Sequence, residues 1–325
     1  MAAPRTALLT GGTGFVGANL ARRLLRDGHR VHLLVRPGHQ PWRIEAIRGD
    51  VALHLADLGD RAAVETAVKR VRPDWVFHLA AHGAYSHQRS LRAIVATNVV
   101  GTANLLEACL EAGFEAFVNT GSSSEYGYRE GAAKETDPLE PNSDYAVTKA
   151  SATLLCRFTA RDHGLRVPTL RLYSVFGPFE EPTRFLPTLL VHGLARRLPP
   201  LVDPDTARDF VHVDDVCEAY VRAAAVATGD PGAVYNVGTG VQTTIAAVVA
   251  LAREEMGIEE EPVWRSMPGR RWDTRSWVAD PSRIAEALGW RPAVPFPEGF
   301  RSTRRWLESS PAILARFRAA VLPPG

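Results

Sequence analysis

The chain has 325 residues, 46% of them hydrophobic and 23% charged, with a formal net charge of +2. That length suits one large α/β unit or two domains, and the apolar fraction supports a substantial core rather than disorder. Acidic and basic residues are interspersed, which excludes a nucleic-acid-binding stripe and a membrane-binding face. No run reads as long enough to span a bilayer, and no apolar leader-type segment precedes the first strand. The three cysteines, Cys109, Cys156 and Cys217, lie singly in apolar helical patterns. Such placement argues for reduced core thiols, without disulfides or a metal site, and a cytoplasmic enzyme fits.

Strand-like runs near residues 5–10, 31–35, 51–55, 75–79, 116–120 and 167–173 alternate with helical patterns. That alternation predicts a mostly parallel, doubly wound α/β sheet. The first run leads straight into Gly-Gly-Thr-Gly-Phe-Val-Gly at 11–17, where an amphipathic helix over 15–27 begins. Gly11, Gly14 and Gly17 have the spacing that permits a tight turn, close backbone approach to a pyrophosphate and close packing of helix on sheet. The exposed amides at the helix start, including those of Phe15 and Val16, then face the phosphates. Dinucleotide binding in a Rossmann-type fold follows.

The second strand ends in Leu34-Val35-Arg36-Pro37. An acid there would bind the adenosine ribose hydroxyls, whereas an arginine accommodates a 2′-phosphate. Arg36 therefore favours NADP(H), with NAD(H) the alternative, and Arg43 is a second candidate for the same phosphate. Asp57 and Leu58 end the third strand where the adenine would lie. The fourth ends in His78-Leu79-Ala80-Ala81, placing Leu79, Ala80 and Ala81 beside the phosphates and nicotinamide ribose. His78 itself reads as a buried histidine bonded to backbone.

Of thirty-eight basic residues only Lys69, Lys134 and Lys149 are lysine, and Lys149 follows Tyr145 by four. In a helix that spacing puts both side chains on one face. A tyrosine titrates near ~10 when unperturbed, and a nearby ammonium favours the phenolate needed for proton transfer. Arginine would not serve as well, since its planar fork is a poor compact charge. The fifth strand runs into Gly121-Ser122-Ser123-Ser124-Glu125-Tyr126-Gly127 just upstream. Beyond residue 177 the pattern loosens around Pro178, Pro182, Pro187, Pro199, Pro200 and Pro204. The expected division is a dinucleotide-binding domain over 1–177 and a smaller α/β substrate-binding lobe over 178–325, with some chain crossing back, packed at the carboxyl ends of the strands.

Glycine fingerprint, serine run and Tyr-x-x-x-Lys, in that order, resemble the extended short-chain dehydrogenase/reductase family, in its nucleotide-sugar epimerase, dehydratase and reductase branch. Nearly the whole chain shares in the resemblance: Asn98-Val-Val-Gly-Thr, Arg171 to Pro178, Arg208 to Asp215, Tyr235 to Gly238 and Leu288 to Pro292 look like segments of that branch. The resemblance implies that Ser122 holds the C4 oxygen of a nucleotide-diphosphate sugar, with Ser123 as substitute if the loop is offset by one. Tyr145 would exchange the proton on that oxygen, Lys149 would lower the tyrosine pKa and bind the nicotinamide ribose, and the cofactor would exchange hydride with C4. Asn98 falls on the cofactor side. Ser123, Ser124, Ser174, Arg208, and Arg270 or Arg271 fall on the substrate side, the arginines suiting a diphosphate. Met267 departs from the arginine that relatives carry there, and Ser174 stands where many have asparagine.

Dehydratases of the branch carry an acid or base at the two positions after the catalytic hydroxyl, where this chain has Ser123 and Ser124. Glu125 would rescue dehydration only through a shift in the loop. The loop is similar to that of GDP-4-keto-6-deoxymannose reductase and, with Arg36, ranks a 4-ketoreductase first, a 4-epimerase second and a 4,6-dehydratase third. A regulatory protein that had lost its chemistry would break Ser122, Tyr145 or Lys149, and all three are present. Helices over 91–112 and 147–160 correspond to those that pair in relatives, implying a homodimer.

Overall fold

The computed structural model describes residues 3–85, 87–267 and 276–322. Seven strands, β1 (Thr6–Thr10), β2 (Arg30–Val35), β3 (Val51–Leu55), β4 (Trp75–His78), β5 (Ala116–Ser122), β6 (Thr169–Leu172) and β7 (Val234–Val237), form one sheet. Its order is β7-β6-β5-β4-β1-β2-β3 and every pairing is parallel. Parallel sheets need cover on both faces, and this one has it. Helices α1 (Phe15–Arg26) and α7 (Val213–Ala225) pack on one face over a core containing Leu9, Leu33, Phe77 and Tyr220. On the other face α2 (Arg61–Val71), α4 (Gly101–Ala112) and α5 (Asp144–His163) cover Leu8, Val76 and Phe117.

Six of the strands coincide with the runs expected from sequence. The seventh, Val-Tyr-Asn-Val, is a four-residue segment buried throughout, contributed by chain that has already left for the second lobe. It pairs with β6 in register Val234↔Thr169 through Val237↔Leu172. The second lobe gathers α6 (Phe185–Gly193), α8 (Ile245–Met256), α9 (Phe296–Glu308) and α10 (Pro311–Val321) around Phe176, Phe210, Leu189 and Phe300.

Local chemistry fixes the helix ends that matter. Ser143 caps α5 by accepting the Ala146 amide at 3.2 Å, and Gly164 ends it in the left-handed region at φ +65°. Between α3 (Leu91–Val95) and α4 the helix widens into a π turn over Ala96–Val100, a distortion often found at functional sites. The continuous run Leu91–Ala112 has 22 residues and is, by length and composition alone, long and apolar enough to cross a bilayer. The sequence reading expected no such run; here it is a core helix, with Leu105, Leu106 and Cys109 buried. All three cysteines are free and buried.

Candidate active site

The turn from β1 into α1 leaves no room for a side chain. Gly11 has φ +68°, and a Cβ on it would stand 2.7 Å from the Ala80 amide nitrogen. A Cβ on Gly17 would approach the Gly11 carbonyl oxygen to 2.3 Å. Gly14 occupies the N-cap of α1 without a side-chain cap, and no acidic residue lies in the first turn. The amides of Phe15, Val16 and Gly17 are thus presented to an anion in a cradle that any Cβ would fill, which fits a dinucleotide pyrophosphate. Arg36 lies exposed just beyond β2, and its charge reaches His82 in the loop after β4. Asp57, exposed, and Leu58, buried, follow β3, with Asp57 closing its own turn onto the Gly59 amide at 2.8 Å.

Arg43 is spoken for elsewhere. Its guanidinium bonds Glu181 at 2.8 Å and the Phe179 carbonyl at 2.8 Å. It joins the first lobe to the second and is not the cofactor ligand that sequence suggested.

His78 is buried but bonds two threonine hydroxyls rather than backbone: Thr10 Oγ1 at 2.7 Å and Thr102 Oγ1 at 2.9 Å. Thr102 donates onward to the Asn98 carbonyl, so it accepts from His78 Nε2, and Thr10 in turn receives the Ala80 amide at 3.1 Å. Burial and the Lys149 charge push the imidazole down to about 3, keeping it neutral. Its work is to hold the Leu79-Ala80-Ala81 floor. Asn98, in the π turn, does the same for the next residue: it accepts the His82 amide at 2.8 Å, and donates to the His82 carbonyl and to Thr148 Oγ1, each at 2.9 Å. Thr148 lies between Tyr145 and Lys149, so Asn98 ties the loop after β4 to the helix bearing both.

Ser122 closes β5 and caps a 3-10 turn over Ser123–Tyr126. Its hydroxyl accepts the Ser124 amide at 3.2 Å and bonds the phenol of Tyr145, acting to lower the pKa of that phenol. Burial outweighs this bond and pushes Tyr145 up to about 12, with Glu125 adding to the rise. Lys149 is 3% exposed, and burial pushes it down to about 8, opposed by Glu125 and Cys156. The geometry thus brings Ser122 and Tyr145 together. The expected net depression of the tyrosine pKa is thus not what the chain shows: burial dominates, and charges from Glu125, Arg184 and Tyr85 also act on the phenol.

Glu125 anchors the loop. Its Oε1 accepts the Ser122 amide at 2.8 Å and the Thr153 hydroxyl at 3.0 Å, while Oε2 pairs with Arg171 Nε at 2.8 Å. Both ionic side chains are buried, at 4% and 0% exposure for Arg171 and Glu125. Arg171 also donates to the Tyr126 hydroxyl at 2.9 Å, which donates to Asn236 on β7 at 2.7 Å. A carboxylate so fully engaged is no free base in this arrangement.

On the substrate side, Ser123 Oγ accepts the Trp277 indole N–H at 3.1 Å. The Arg208 guanidinium lies 5.8 Å from the centre of the same indole and bonds the Ala207 carbonyl at 2.7 Å. Its neighbours Asp209 and Asp215 are occupied with backbone amides, of Thr239, Gly240 and Ala279 and of Ala293 and Val294. Ser174 is half-buried and pairs with Phe210. Arg270 and Arg271 lie outside the described residues. Trp277 escaped sequence reasoning, since a lone tryptophan after an arginine-rich stretch carries no periodic signal; so did Arg184 and Tyr85.

The chain is similar to known proteins along nearly its whole length. A dTDP-glucose 4,6-dehydratase of Streptomyces griseus is 34% identical over 318 residues, covering 92% of this chain and 93% of that protein. A UDP-glucose 4-epimerase of Mycolicibacterium smegmatis is 32% identical, covering 91% and 96%. The solved UDP-glucose 4-epimerase of Thermus thermophilus in complex with NAD superposes with a TM-score of 0.81 at 30% identity, covering 97% of this chain and 99% of that one. The profile of the NAD dependent epimerase/dehydratase family matches residues 7–238. The chain belongs to that family, the extended short-chain dehydrogenase/reductase branch whose members act on nucleotide sugars.

Proposed function

We propose that the protein is an NADP(H)-dependent reductase of a nucleotide-linked 4-keto sugar. Arg36 carries this reading: it stands where an acid would bind the adenosine ribose of NAD, and it suits the 2′-phosphate of NADPH. The solved relative holds NAD, so NAD(H) remains the alternative cofactor. Cells hold NADPH reduced, which serves a net reduction, whereas an epimerase recycles its cofactor and gains nothing from it.

Ser122 donates a hydrogen bond to the C4 carbonyl oxygen and polarises it. The chemistry that NADPH supplies when bound is a hydride for the carbonyl carbon. Tyr145, held protonated by burial, gives its proton to the oxygen as negative charge develops there, leaving an alcohol at C4. The resulting phenolate is stabilised by the Lys149 ammonium and regains a proton from water. A high tyrosine pKa suits a proton donor, and so suits this direction. Arg208 and the arginines at 270 and 271 suit the substrate diphosphate. With Ser123 and Ser124 after Ser122, and Glu125 paired with Arg171, this loop offers no ready base for the C5 proton, which disfavours dehydration.

C4 epimerisation is the second reading, favoured by the similarity to a UDP-glucose 4-epimerase over 91% of the chain. Purified protein is to be incubated with NADPH and a 4-keto nucleotide sugar, and separately with UDP-glucose. Steady loss of NADPH absorbance supports reduction; interconversion of epimers without added cofactor reverses the order. Tyr145→Phe with an unaltered turnover number would remove the tyrosine from either mechanism.

We also infer a homodimer. Leu91, Val95 and Val100 on one helical run, and Val147, Leu154 and Phe158 on α5, are 36–66% exposed, and apolar side chains on two helices that pack together suit a partner's surface.

A further inference from the structure

In the mechanism proposed, the dinucleotide sits on the cradle that opens α1, and the sugar diphosphate sits on Arg208 of the second lobe. The angle between the lobes therefore decides whether C4 meets the nicotinamide. A misplacement of about 1 Å costs on the order of 10²-fold in rate, so whatever fixes that angle is part of the machinery.

A short segment, Pro178-Phe179-Glu180-Glu181, fixes it where the chain enters the second lobe. Asn19, buried in the second turn of α1, donates through Nδ2 to the Phe15 carbonyl at 3.0 Å and to the Pro178 carbonyl at 2.9 Å. Phe15 is the first helical residue after Gly14, so one side chain grips both the cradle and the crossing segment. Arg43, 6% exposed, reaches the same segment from the loop that follows Arg36. It donates from Nε to the Phe179 carbonyl and pairs with Glu181, each at 2.8 Å. Arg22 of α1 closes the set, donating to the Arg43 carbonyl at 2.6 Å with its guanidinium 4.0 Å from the centre of the Phe179 ring.

Phe179 has φ +70°, a left-handed conformation that a bulky side chain rarely adopts and that persists only where its surroundings impose it. Its ring also meets that of Trp306 on α9 at 4.8 Å between centres, so it is held from both lobes. From here the path to the substrate side is short and continuous. Just upstream, Ser174–Phe176 pairs in parallel with Phe210–His212, and the Ser174 amide donates to the Asp209 carbonyl at 3.0 Å. Arg208 is the next residue back.

We propose that Asn19, Arg22 and Arg43 are positioning residues that couple the two sites: by locking Phe179 they let a dinucleotide seated on α1 hold the second lobe, and Arg208 with it, in register for the sugar diphosphate. This rests on the reading of the crevice as a nucleotide-sugar site and adds how its two halves are aligned. Ordering of the junction by the first ligand is not required again of the second. Coupling of this kind is reciprocal, so each ligand tightens the other by the same factor.

Calorimetric titration of the full chain reads that factor directly. UDP and dTDP are titrated with and without saturating dinucleotide, NADP+ or NAD+, whichever binds more tightly. Wild type is expected to bind the better diphosphate at least about fivefold more tightly with the dinucleotide present. Arg43→Met and Asn19→Ala, made separately, are expected to bring the ratio below about twofold, with the affinity for each ligand alone changing far less. Hydrogen exchange gives a second readout that needs no diphosphate: dinucleotide alone slows exchange at Ser174–Phe176 and Phe210–His212 in wild type and not in the variants. A clamp with a structural role only would lower the unfolding midpoint of the variants and leave both quantities as in wild type. No tightening in wild type, or a ratio retained in both variants, overturns the coupling while leaving the nucleotide-sugar reading intact. A wild type that binds neither diphosphate but shows the exchange effect removes that reading and sustains the coupling of the lobes.

Discussion

Breaking the buried pair of Glu125 and Arg171 is expected to be the most damaging polar substitution in the chain. Arg171→Met leaves a carboxylate of 0% exposure with only the Ser122 amide and the Thr153 hydroxyl, and also strips a donor from Tyr126. Removing one partner of a buried pair costs about 3–5 kcal/mol, while replacing both by apolar groups is often near neutral. Against a domain stability of about 5–15 kcal/mol, the single change consumes a large share. Urea unfolding of wild type, Arg171→Met, Glu125→Leu and the double variant closes a cycle, with an expected coupling of about 2 kcal/mol or more. The active site supplies a second readout from Glu125→Gln. Its charge is what opposes the lowering of Lys149, so the neutral amide should move the basic limb of kcat/KM to lower pH. Additive single effects, each below about 1 kcal/mol, would refute the reasoning, because they would mean that the two charges are solvated in the folded chain.

Other perturbations probe the remaining parts. Arg36→Asp should weaken NADPH about 10- to 100-fold through loss of a charge-assisted bond and improve NADH, as read by fluorescence titration; an unchanged preference assigns the 2′-phosphate elsewhere. Since burial holds Lys149 down to about 8, kcat should fall as pH rises through that value, where the ammonium is lost. The same depression means the folded chain binds fewer protons than the unfolded one between about 8 and the ordinary 10.5. Stability from this residue therefore rises with pH across that window, and Lys149→Met should abolish the rise in pH-dependent unfolding. Phe158→Glu, on a side chain 66% exposed, should yield monomers by light scattering without lowering monomer stability; an unaltered dimer would place the interface on another face.

What was legible in the sequence was whatever is imposed by backbone geometry or by a fixed spacing along one element. Gly11 and Gly17 are demanded by contacts with the chain itself, as the 2.3 Å approach at Gly17 shows, and the fixed spacing that includes Gly14 makes them readable. Tyr145 and Lys149 share one helix. Six strands announced themselves as apolar runs, whereas β7 did not, since it breaks the strand-helix alternation and its place beside β6 is set by a crossover of about sixty residues. Arg43 and Glu125 illustrate the opposite limit. Both are charged residues beside a motif, and sequence offered each a chemical part; the structure assigns them partners 138 and 46 residues away. The same blindness applies to Glu180, whose neighbour Glu181 is the same residue type and meets Arg43. Which of two adjacent glutamates is paired and which is left with a bare oxygen depends on the packing of α6 and the loop after β4, and local sequence holds no term for that. Pairing partners of charges, more than strands or helices, are what a sequence conceals. A site read from motifs alone will therefore tend to promote buried structural ions to catalytic rank.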